Sequence, residues 1–307
     1  MPILYRPFDV RYTYYTGHSR GFLCMPRQEV MRHMLQQNAA LVVPRQCKEQ
    51  PGAFVCSAIA GHKTVDAYDI NYLFPLYCYY ALFSAETGSI RSSSGIGNLR
   101  RANLDPDVVG NVAKDMGFVV VADGRGDPTQ GTMGPEDLFA YIYAALYSPV
   151  YRERYAEFLK ADFPRIPFTK DRDTFLKLAT LGQQLIDLHL MRSPELDNPI
   201  SRFCGKGDSA VTKIEYDADR GRVSINPTQY FDGVTPDLWS YQIGGYHVLS
   251  KWLKDRKGRF LTSADTIHYS RIVTALARTI AAQLLIDNNL EAAEVWSPLV
   301  VRLAVVQ

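Results

Sequence analysis

The chain has 307 residues, which is long enough to bury a substantial core as one large domain or as two closely packed ones. Hydrophobic residues make up 47% of it and charged residues 21%, a balance that is typical of folded proteins and excludes an intrinsically disordered tail. The formal net charge is only +2, so the chain as a whole lacks the strongly basic balance that is usual for a nucleic-acid-binding protein.

Positive charge is nevertheless concentrated near the beginning of the sequence. Residues 1–48 contain only two acidic residues, Asp9 and Glu29. The same segment contains seven basic residues: Arg6, Arg11, Arg20, Arg27, Arg32, Arg45 and Lys48. A phosphate backbone responds to such a local excess more than to the charge summed over the whole chain.

Cysteine usage and hydropathy indicate a cytoplasmic protein. The five cysteines include no C-x-x-C pair, which argues against a zinc site or a disulfide framework and fits reduced thiols. The apolar run 72–83 is too short and too rich in tyrosine to span a bilayer, and no signal peptide is evident. We therefore expect no membrane partner and no metal site.

Short strands and one helix are predicted for the first hundred residues. The helix is expected over Gln28–Gln37, which carries one apolar face. The run 72–83 is either a buried strand or part of a helix, because its periodicity does not decide between the two. Segment 84–97 is rich in serine and glycine and is predicted to be an exposed loop. The predicted strands are 20–25, 39–43 and 54–59.

Helical signals dominate from residue 105 onward. Asp105 is a suitable N-cap, with Pro106 at the first helical position, for a helix that ends near Met116. Ser148-Pro149 breaks the helix that begins after Gly134 and caps the next one. The helix after Ser148-Pro149 is predicted to reach about Lys160, and a long helix is predicted over 170–191. Between them, residues 163–167 are predicted to be extended, because each proline disfavours a helical conformation of the residue before it.

The C-terminal third combines a hairpin with long helices. Residues 209–216 and 220–226 alternate around a turn at 217–219 and predict a β-hairpin. Two long amphipathic helices are predicted over 236–256 and 262–287. Prolines and glycines cluster within 192–208. The predicted fold class is therefore α/β (α+β), with a mixed sheet of short strands and helices in residues 1–195, followed by a hairpin-and-helix subdomain in residues 196–307.

Motifs for catalysis are missing from the sequence. There is no G-x-x-x-x-G-K-[ST] loop for ATP, no Asn-Pro-Pro-Tyr for holding a flipped adenine, and no glycine-rich loop for S-adenosylmethionine. The six histidines have no metal-binding spacing and are predicted to be surface or hydrogen-bonded core residues. Asp208, Lys213 and Glu215 are the residues from which a nuclease site would be assembled, but strand alternation alone explains them. We predict no catalytic residue.

Four stretches resemble one protein family. They are 5–15, 19–35, 147–155 continuing through 163–167, and 242–246 continuing through 252–259. In this order they resemble the C-terminal specificity domain of type ISP restriction–modification enzymes, which join nuclease, translocase, adenine methyltransferase and target recognition in one chain. The resemblance implies that residues 1–195 form a target-recognition domain that binds double-stranded DNA at a specific sequence. The domain thereby directs adenine N6 methylation and restriction by other modules. The resemblance also implies that S-adenosylmethionine, ATP and Mg²⁺ are used only by the associated methyltransferase and translocase/nuclease modules, so that this chain holds no cofactor.

Arginine and glutamine are the side chains that can make paired hydrogen bonds to guanine and adenine in the major groove. Arg45 and Gln46 follow a predicted strand and are therefore predicted to read bases. The complete set expected to contact DNA is Arg20, Arg27, Gln28, Arg45, Gln46, Lys48, Lys63, Arg91, Arg100 and Arg101. Of these, Lys63, Arg91, Arg100 and Arg101 lie in predicted loops and are expected to hold phosphates. A second basic patch, Lys254, Arg256, Lys257 and Arg259, is either a further DNA contact or a solvated helix end.

The opening segment has a different predicted role. The resemblance places it where the methyltransferase core meets the specificity domain, so Arg6, Phe8, Asp9 and Arg11 are predicted to serve this junction. The alternative is a plain core strand. For the whole chain, two alternatives to DNA recognition stay open. One is a docking module with little DNA affinity, which the near-neutral charge favours, and the other is an independent nuclease, which the missing carboxylate cluster disfavours.

Overall fold

The structure, a computed structural model, describes residues 1–19, 23, 25–48, 50–80, 99–292 and 300–302. Short strands and helices share one hydrophobic core, which confirms the predicted mixed α/β class. The strands are β1 Pro2–Arg6, β2 Asp9–Tyr12, β3 Ala40–Pro44, β4 Phe54–Cys56, β5 Ile59–Ala60, β6 Asn71–Pro75, β7 Tyr77–Tyr80, β8 Leu99–Ala102, β9 Val119–Val120, β10 Thr132–Met133, β11 Arg165–Pro167, β12 Arg202–Gly205, β13 Glu215–Asp217, β14 Arg222–Ser224, β15 Gln229–Asp232, β16 Gln242–Ile243, β17 Tyr246–His247 and β18 Val300–Arg302. The helices are α1 Gln28–Met31, α2 Pro106–Asp115, α3 Pro135–Tyr147, α4 Pro149–Arg154, α5 Ala156–Ala161, α6 Arg172–His189, α7 Pro236–Ser240, α8 Val248–Lys254 and α9 Ser263–Ala292.

Two small sheets organise the N-terminal part. In the first, β1 lies between β2 and β5, so β2 is an edge strand. In the second, β3 lies between β4 and β6 and is buried along its whole length. The predicted strand 39–43 is thus confirmed, whereas the predicted strand 54–59 divides into β4 and β5, which belong to different sheets.

The remaining N-terminal predictions have mixed outcomes. The run 72–83 forms strands β6 and β7 over its described residues, not a helix. The predicted helix 28–37 is shorter, because α1 continues only as a 3₁₀ turn over Arg32–Leu35. Of the predicted strand 20–25, the described residues Leu23 and Met25 are not in a strand, and the predicted loop 84–97 lies outside the described residues.

Local capping fixes the helices much as predicted. The Asp105 carboxylate accepts hydrogen bonds from the backbone of α2, and the Ser148 hydroxyl accepts one from Tyr151 at the start of α4. Helices α3 and α6 pack closely because Gly182 lies against the Ala140 carbonyl, where a Cβ atom would come within 1.8 Å of the oxygen. The helix predicted to reach Lys160 is interrupted between α4 and α5.

The C-terminal part contains a four-stranded antiparallel sheet in the order β12-β15-β14-β13, which includes the predicted hairpin. The single helix predicted over 236–256 is wrong, because the chain forms α7, the β16–β17 hairpin and then α8. Gly244, with φ +56°, makes the turn of that hairpin.

Helix α9 packs on α3 and α6, so the core is continuous across residue 195. The division into 1–195 and 196–307 stays a prediction.

Candidate nucleic-acid interface

Arg45 and Gln46 lie together at the carboxyl end of β3, and both are exposed. Arg45 Nε donates a hydrogen bond to Asp162 Oδ1 at 3.3 Å, and Gln46 Nε2 donates one to the Ala161 carbonyl at 3.2 Å. In the described part of the chain, no acceptor binds the two terminal nitrogens of Arg45. A guanidinium held by its Nε is oriented but still has donors to offer.

Lys63 lies on the loop that precedes β6, and Lys48 packs against that loop. The Lys48 ammonium lies 5.4 Å from the ring centroid of Tyr68. Lys63 Nζ donates to the Ala67 carbonyl at 3.0 Å, so this amine is used inside its own loop. The Lys63 carbonyl accepts a 3.0 Å hydrogen bond from the Tyr246 hydroxyl, which ties the loop to β17.

The turn between β16 and β17 holds the same loop by close backbone contact. A Cβ atom on Gly244 would lie 1.8 Å from the Val65 carbonyl oxygen, and one on Gly52 would lie 2.8 Å from the Gly244 Cα. The Gly-Gly-Tyr sequence within the resembling stretch 242–246 therefore fastens the loop that carries Lys63 to the C-terminal part.

Helix α1 begins beside an exposed polar pair. Arg27 and Gln28 are both exposed, and Arg27 has a positive φ of 49° immediately before the helix. Within the described ranges, the Arg27 side chain makes no ion pair. Arg20 and Arg91, which were also predicted to contact DNA, lie outside the described residues.

Arg100 and Arg101 are neighbours on β8 but lie in different surroundings. Arg100 makes two hydrogen bonds to the Asp123 carboxylate, at 2.7 and 3.0 Å, and its guanidinium lies 4.1 Å from the Tyr77 ring centroid. Arg101 is exposed and forms no ion pair with any residue that the structure describes. Arg100 and Arg101, two of the three arginines predicted to hold phosphates, are thus not equivalent.

The four residues predicted for a module junction contact this same chain. Arg6 donates to the Lys63 carbonyl at 2.7 Å. Phe8 is buried, and its carbonyl accepts a 2.7 Å hydrogen bond from His268. Asp9 is also buried, and Arg11 donates to it at 2.8 Å. Phe8 and Asp9 thus support the β1–β2 hairpin from inside, and Arg6 and Arg11 contact it from partly exposed positions. The opposite face of β2 is exposed at Val10 and Tyr12.

Arg256 is the partner of Asp9 that the sequence did not reveal. Its guanidinium lies 3.0 Å from the Asp9 carboxylate and 3.4 Å from the Trp252 ring centroid. Burial by itself raises the pKa of Asp9, but hydrogen bonds and charges from Arg11 and Arg256 bring that pKa below its ordinary value. Arg256 is thus an internal ion-pair residue and not part of an exposed basic patch, unlike the exposed Lys254, Lys257 and Arg259.

The residues considered for a nuclease site are not grouped around a metal position in the described part of the chain. No three His, Cys, Asp or Glu side chains in that part of the chain are grouped to hold a metal ion. Glu215 forms an exposed 2.5 Å ion pair with Lys213, and the Asp208 carboxylate accepts a hydrogen bond from the Ala210 backbone. Over the described ranges, no helix is long and apolar enough to cross a membrane.

Comparison with known proteins gives one family. The model of the type ISP C-terminal specificity domain matches residues 1–284. No curated protein matches the chain. Solved structures with a similar fold include the ATP-dependent type ISP restriction-modification enzyme LlaBIII bound to DNA, with a TM-score of 0.66 and 14% identity over 94% of this chain and 18% of that chain.

Two further structures are similar. A nuclease-deletion mutant of the type ISP restriction-modification enzyme LlaGI, in complex with a DNA substrate mimic, has a TM-score of 0.61 and 17% identity over 94% of this chain and 24% of that chain. A DrdV–DNA complex has a TM-score of 0.65 and 20% identity over 98% of this chain and 28% of that chain. This chain therefore spans less than a third of the length of each of the three solved chains. At these sequence identities the similarity shows only that the fold is shared.

Proposed function

This chain belongs to the type ISP C-terminal specificity domain family, and we propose that it recognises a specific sequence in double-stranded DNA for catalytic modules that lie outside its 307 residues. The observation that carries the proposal is the family match over residues 1–284, nearly the whole chain. The shared fold with three enzymes that were solved with DNA or a DNA mimic supports it.

Base reading is assigned to the end of β3. Arg45 and Gln46 are exposed side by side, and each is held by one hydrogen bond to the segment that ends α5. A guanidinium whose terminal nitrogens remain available can bind guanine O6 and N7, and a carboxamide can bind adenine N6 and N7. Anchoring before binding reduces the entropy that is lost when the side chains meet DNA.

Positioning on the phosphate backbone is assigned to the other basic candidates. Arg27, Lys48 and Arg101 are exposed and form no ion pair with a described residue. Lys63 and Arg100 would first have to release Ala67 and Asp123, so we expect them to contribute less. The remaining candidates for phosphate contact are the arginines Arg20 and Arg91 and the neutral side chain of Gln28.

Chemistry on the DNA is assigned to other modules. Adenine N6 methylation needs S-adenosylmethionine, and translocation and cleavage need ATP and Mg²⁺, for which this sequence has no recognisable motif. In this proposal the chain supplies binding and orientation, and a methyltransferase module and a translocase/nuclease module of the same or a neighbouring polypeptide supply the reaction.

A docking module with little DNA affinity is the second candidate. The net charge of +2 favours it, and so does the use of Arg11, Arg45, Arg100 and Arg256 in ion pairs within the chain. Charges that are already neutralised by carboxylates attract a polyanion less.

A binding titration at several salt concentrations separates the two functions. We expect the 307-residue chain to bind duplex DNA, with log K falling by about 0.9 per log unit of salt for each phosphate contacted. It should neither methylate nor cleave that DNA. Absence of binding at low salt would favour the docking module, and methyl transfer by this chain alone would refute the assignment of catalysis to other modules.

A further inference from the structure

We infer that one face of the β7–β8 hairpin, formed by Arg32, Tyr80, Leu99 and Arg101, is a contact surface for the sugar–phosphate backbone of DNA. This inference rests on the proposed function and deepens it, because it names the surface and distinguishes it from the base-reading residues at the end of β3. We call these four residues the hairpin face.

The pairing register of β7 and β8 defines the hairpin face. Cys78 is directly opposite Arg101, and Tyr80 is opposite Leu99. Side chains two apart on a strand, and those directly opposite on its partner, point to the same side of the sheet. Arg100 and Tyr79 therefore point to the other side, where Arg100 meets Asp123.

Arg32 lies beside the hairpin at the start of the 3₁₀ turn, where its Nε lies 3.4 Å from Nε2 of His33, the residue whose Nδ1 accepts from the Tyr79 N–H. Burial raises the pKa of the Cys78 thiol, and the charge of Arg32 opposes that rise, which agrees with this position of Arg32. Arg101, opposite Cys78 at a typical Cβ separation of about 5 Å, flanks the same point. Two guanidinium groups are thus brought to one side of a two-stranded sheet.

Hydrogen bonds fix the 3₁₀ turn to the hairpin before any ligand binds. The Tyr79 backbone N–H donates to His33 Nδ1 at 2.9 Å. Asn38 Nδ2 donates to the Tyr77 carbonyl at 2.8 Å, and Asn38 Oδ1 accepts from the Tyr77 N–H at 3.2 Å. Because His33 is the residue after Arg32, these bonds set the position of Arg32 relative to β7. The geometry is therefore formed in advance.

Charge identifies the occupant as a polyanion. Arg32 and Arg101 are both exposed, and within the described ranges neither forms an ion pair. By contrast, Arg100 on the other side is neutralised by Asp123. Beside the guanidinium groups, Tyr80 is 47% exposed and Leu99 is 60% exposed. Two uncompensated arginines beside an aromatic ring and an aliphatic side chain fit phosphates flanked by the apolar faces of deoxyribose.

The test measures the salt dependence of DNA binding by the 307-residue chain. The variants are Arg32→Gln, Arg101→Gln and the double variant. The matched control is Arg202→Gln, which removes an exposed arginine from β12, a strand of a different sheet, where it forms no ion pair with any residue that the structure describes. We expect each single variant to weaken binding about 5- to 20-fold for all sequences alike and to reduce the salt slope by about 1, and the double variant to reduce the slope by about 2. Far-ultraviolet circular dichroism checks that each variant is folded.

Any of four other results of this experiment would overturn the inference. If the wild-type chain binds DNA and the double variant binds with the same slope, the hairpin face is not a DNA surface, although the proposed function stands. If the wild-type chain does not bind DNA, the inference fails with the proposed function. If the double variant retains DNA affinity but loses binding to a purified methyltransferase module, the occupant of the hairpin face is protein. A loss confined to one DNA sequence would show base reading instead of backbone contact.

Discussion

The hydroxyl of Tyr143 and Nδ1 of His189 form a hydrogen bond of 2.6 Å at the centre of the core. The backbone N–H of Val55 donates to the Tyr143 hydroxyl, and His189 Nε2 donates to Thr279 at 2.9 Å. Thr279 in turn donates to the Ala275 carbonyl at 2.7 Å. This network joins β4, α3, α6 and α9. Because the Thr279 hydroxyl donates to Ala275, it accepts from Nε2 of His189, and burial, which lowers the pKa of His189, keeps the ring neutral so that Nδ1 accepts from Tyr143.

Acid should destabilise the protein through His189. Burial and the charge of Arg152 lower the pKa of this histidine to about 3, against an unfolded value of about 6.5. The unfolded chain therefore binds a proton first, so the stabilisation is complete above pH 6.5 and is lost as pH falls toward 3. Between pH 7 and pH 5 we expect a loss of about 2 kcal/mol in the free energy of unfolding, measured by urea denaturation. His189→Gln should be less stable at pH 7 but flatter with pH. An equal pH slope in this variant would contradict the assignment.

Gly244→Ala should destabilise the fold more than Gly258→Ala. Both glycines have a positive φ, so an alanine carries a similar backbone cost of about 1 kcal/mol at each position. At Gly244 the new Cβ would also lie 1.8 Å from the Val65 carbonyl, whereas at Gly258 nothing lies within 4 Å. Thermal unfolding of the two variants checks this expectation. Equal melting temperatures would show that the contact of the β16–β17 turn is not needed.

Arg256→Ala should cost more stability than Arg11→Ala. Asp9 is only 2% exposed, and its partner Arg256 is 17% exposed, so removing Arg256 weakens the compensation of a buried carboxylate and costs about 3–5 kcal/mol. Arg11 is 36% exposed and water can replace much of it, for a cost of about 1 kcal/mol. Urea denaturation at pH 7 measures both. A larger loss for Arg11→Ala would show that Arg256 is not the main partner.

Arg11→Ala also tests the predicted module junction. In a full-length enzyme this change should reduce methylation and restriction together, without changing the recognised sequence, because the β1–β2 hairpin is expected to adjoin the methyltransferase module. In the 307-residue chain the same change should cost little DNA affinity, as measured by fluorescence anisotropy. An altered recognition sequence would place Arg11 in the groove and refute the junction.

Arg45→Ala and Gln46→Ala should relax the preference for one DNA sequence. Arg45→Ala removes two donors and Gln46→Ala removes one donor and one acceptor from the end of β3, so each should relax discrimination at one base pair by about 1–3 kcal/mol. Arg101→Ala should instead weaken binding to all sequences alike. Selection from a randomised DNA pool distinguishes these outcomes. Retention of the wild-type preference in both β3 variants would refute base reading there.

Local chemistry could be predicted from the sequence alone. The N-caps at Asp105 and Ser148 and the hairpin turn after Asp217 are found as expected, and the strand predicted over 39–43 is found as β3 Ala40–Pro44. Each depends on residues within a few positions of one another, so the pattern that specifies it can be read along the chain. The absence of catalytic motifs and the family resemblance were also visible at this level.

Tertiary structure decided how the charges are used. Asp9 and Arg256 are 247 positions apart, and only the packing of the β1–β2 hairpin on the residues after α8 brings them together. A different contact lies within the helix predicted over 236–256, where the β16–β17 turn at Gly244 fits against Val65. Strand register puts Arg100 and Arg101 on opposite sides of β8, and Asp123 lies on the side of Arg100. Periodicity reports which side of an element is apolar, but an ion pair depends on which elements meet, and that is a property of the folded chain.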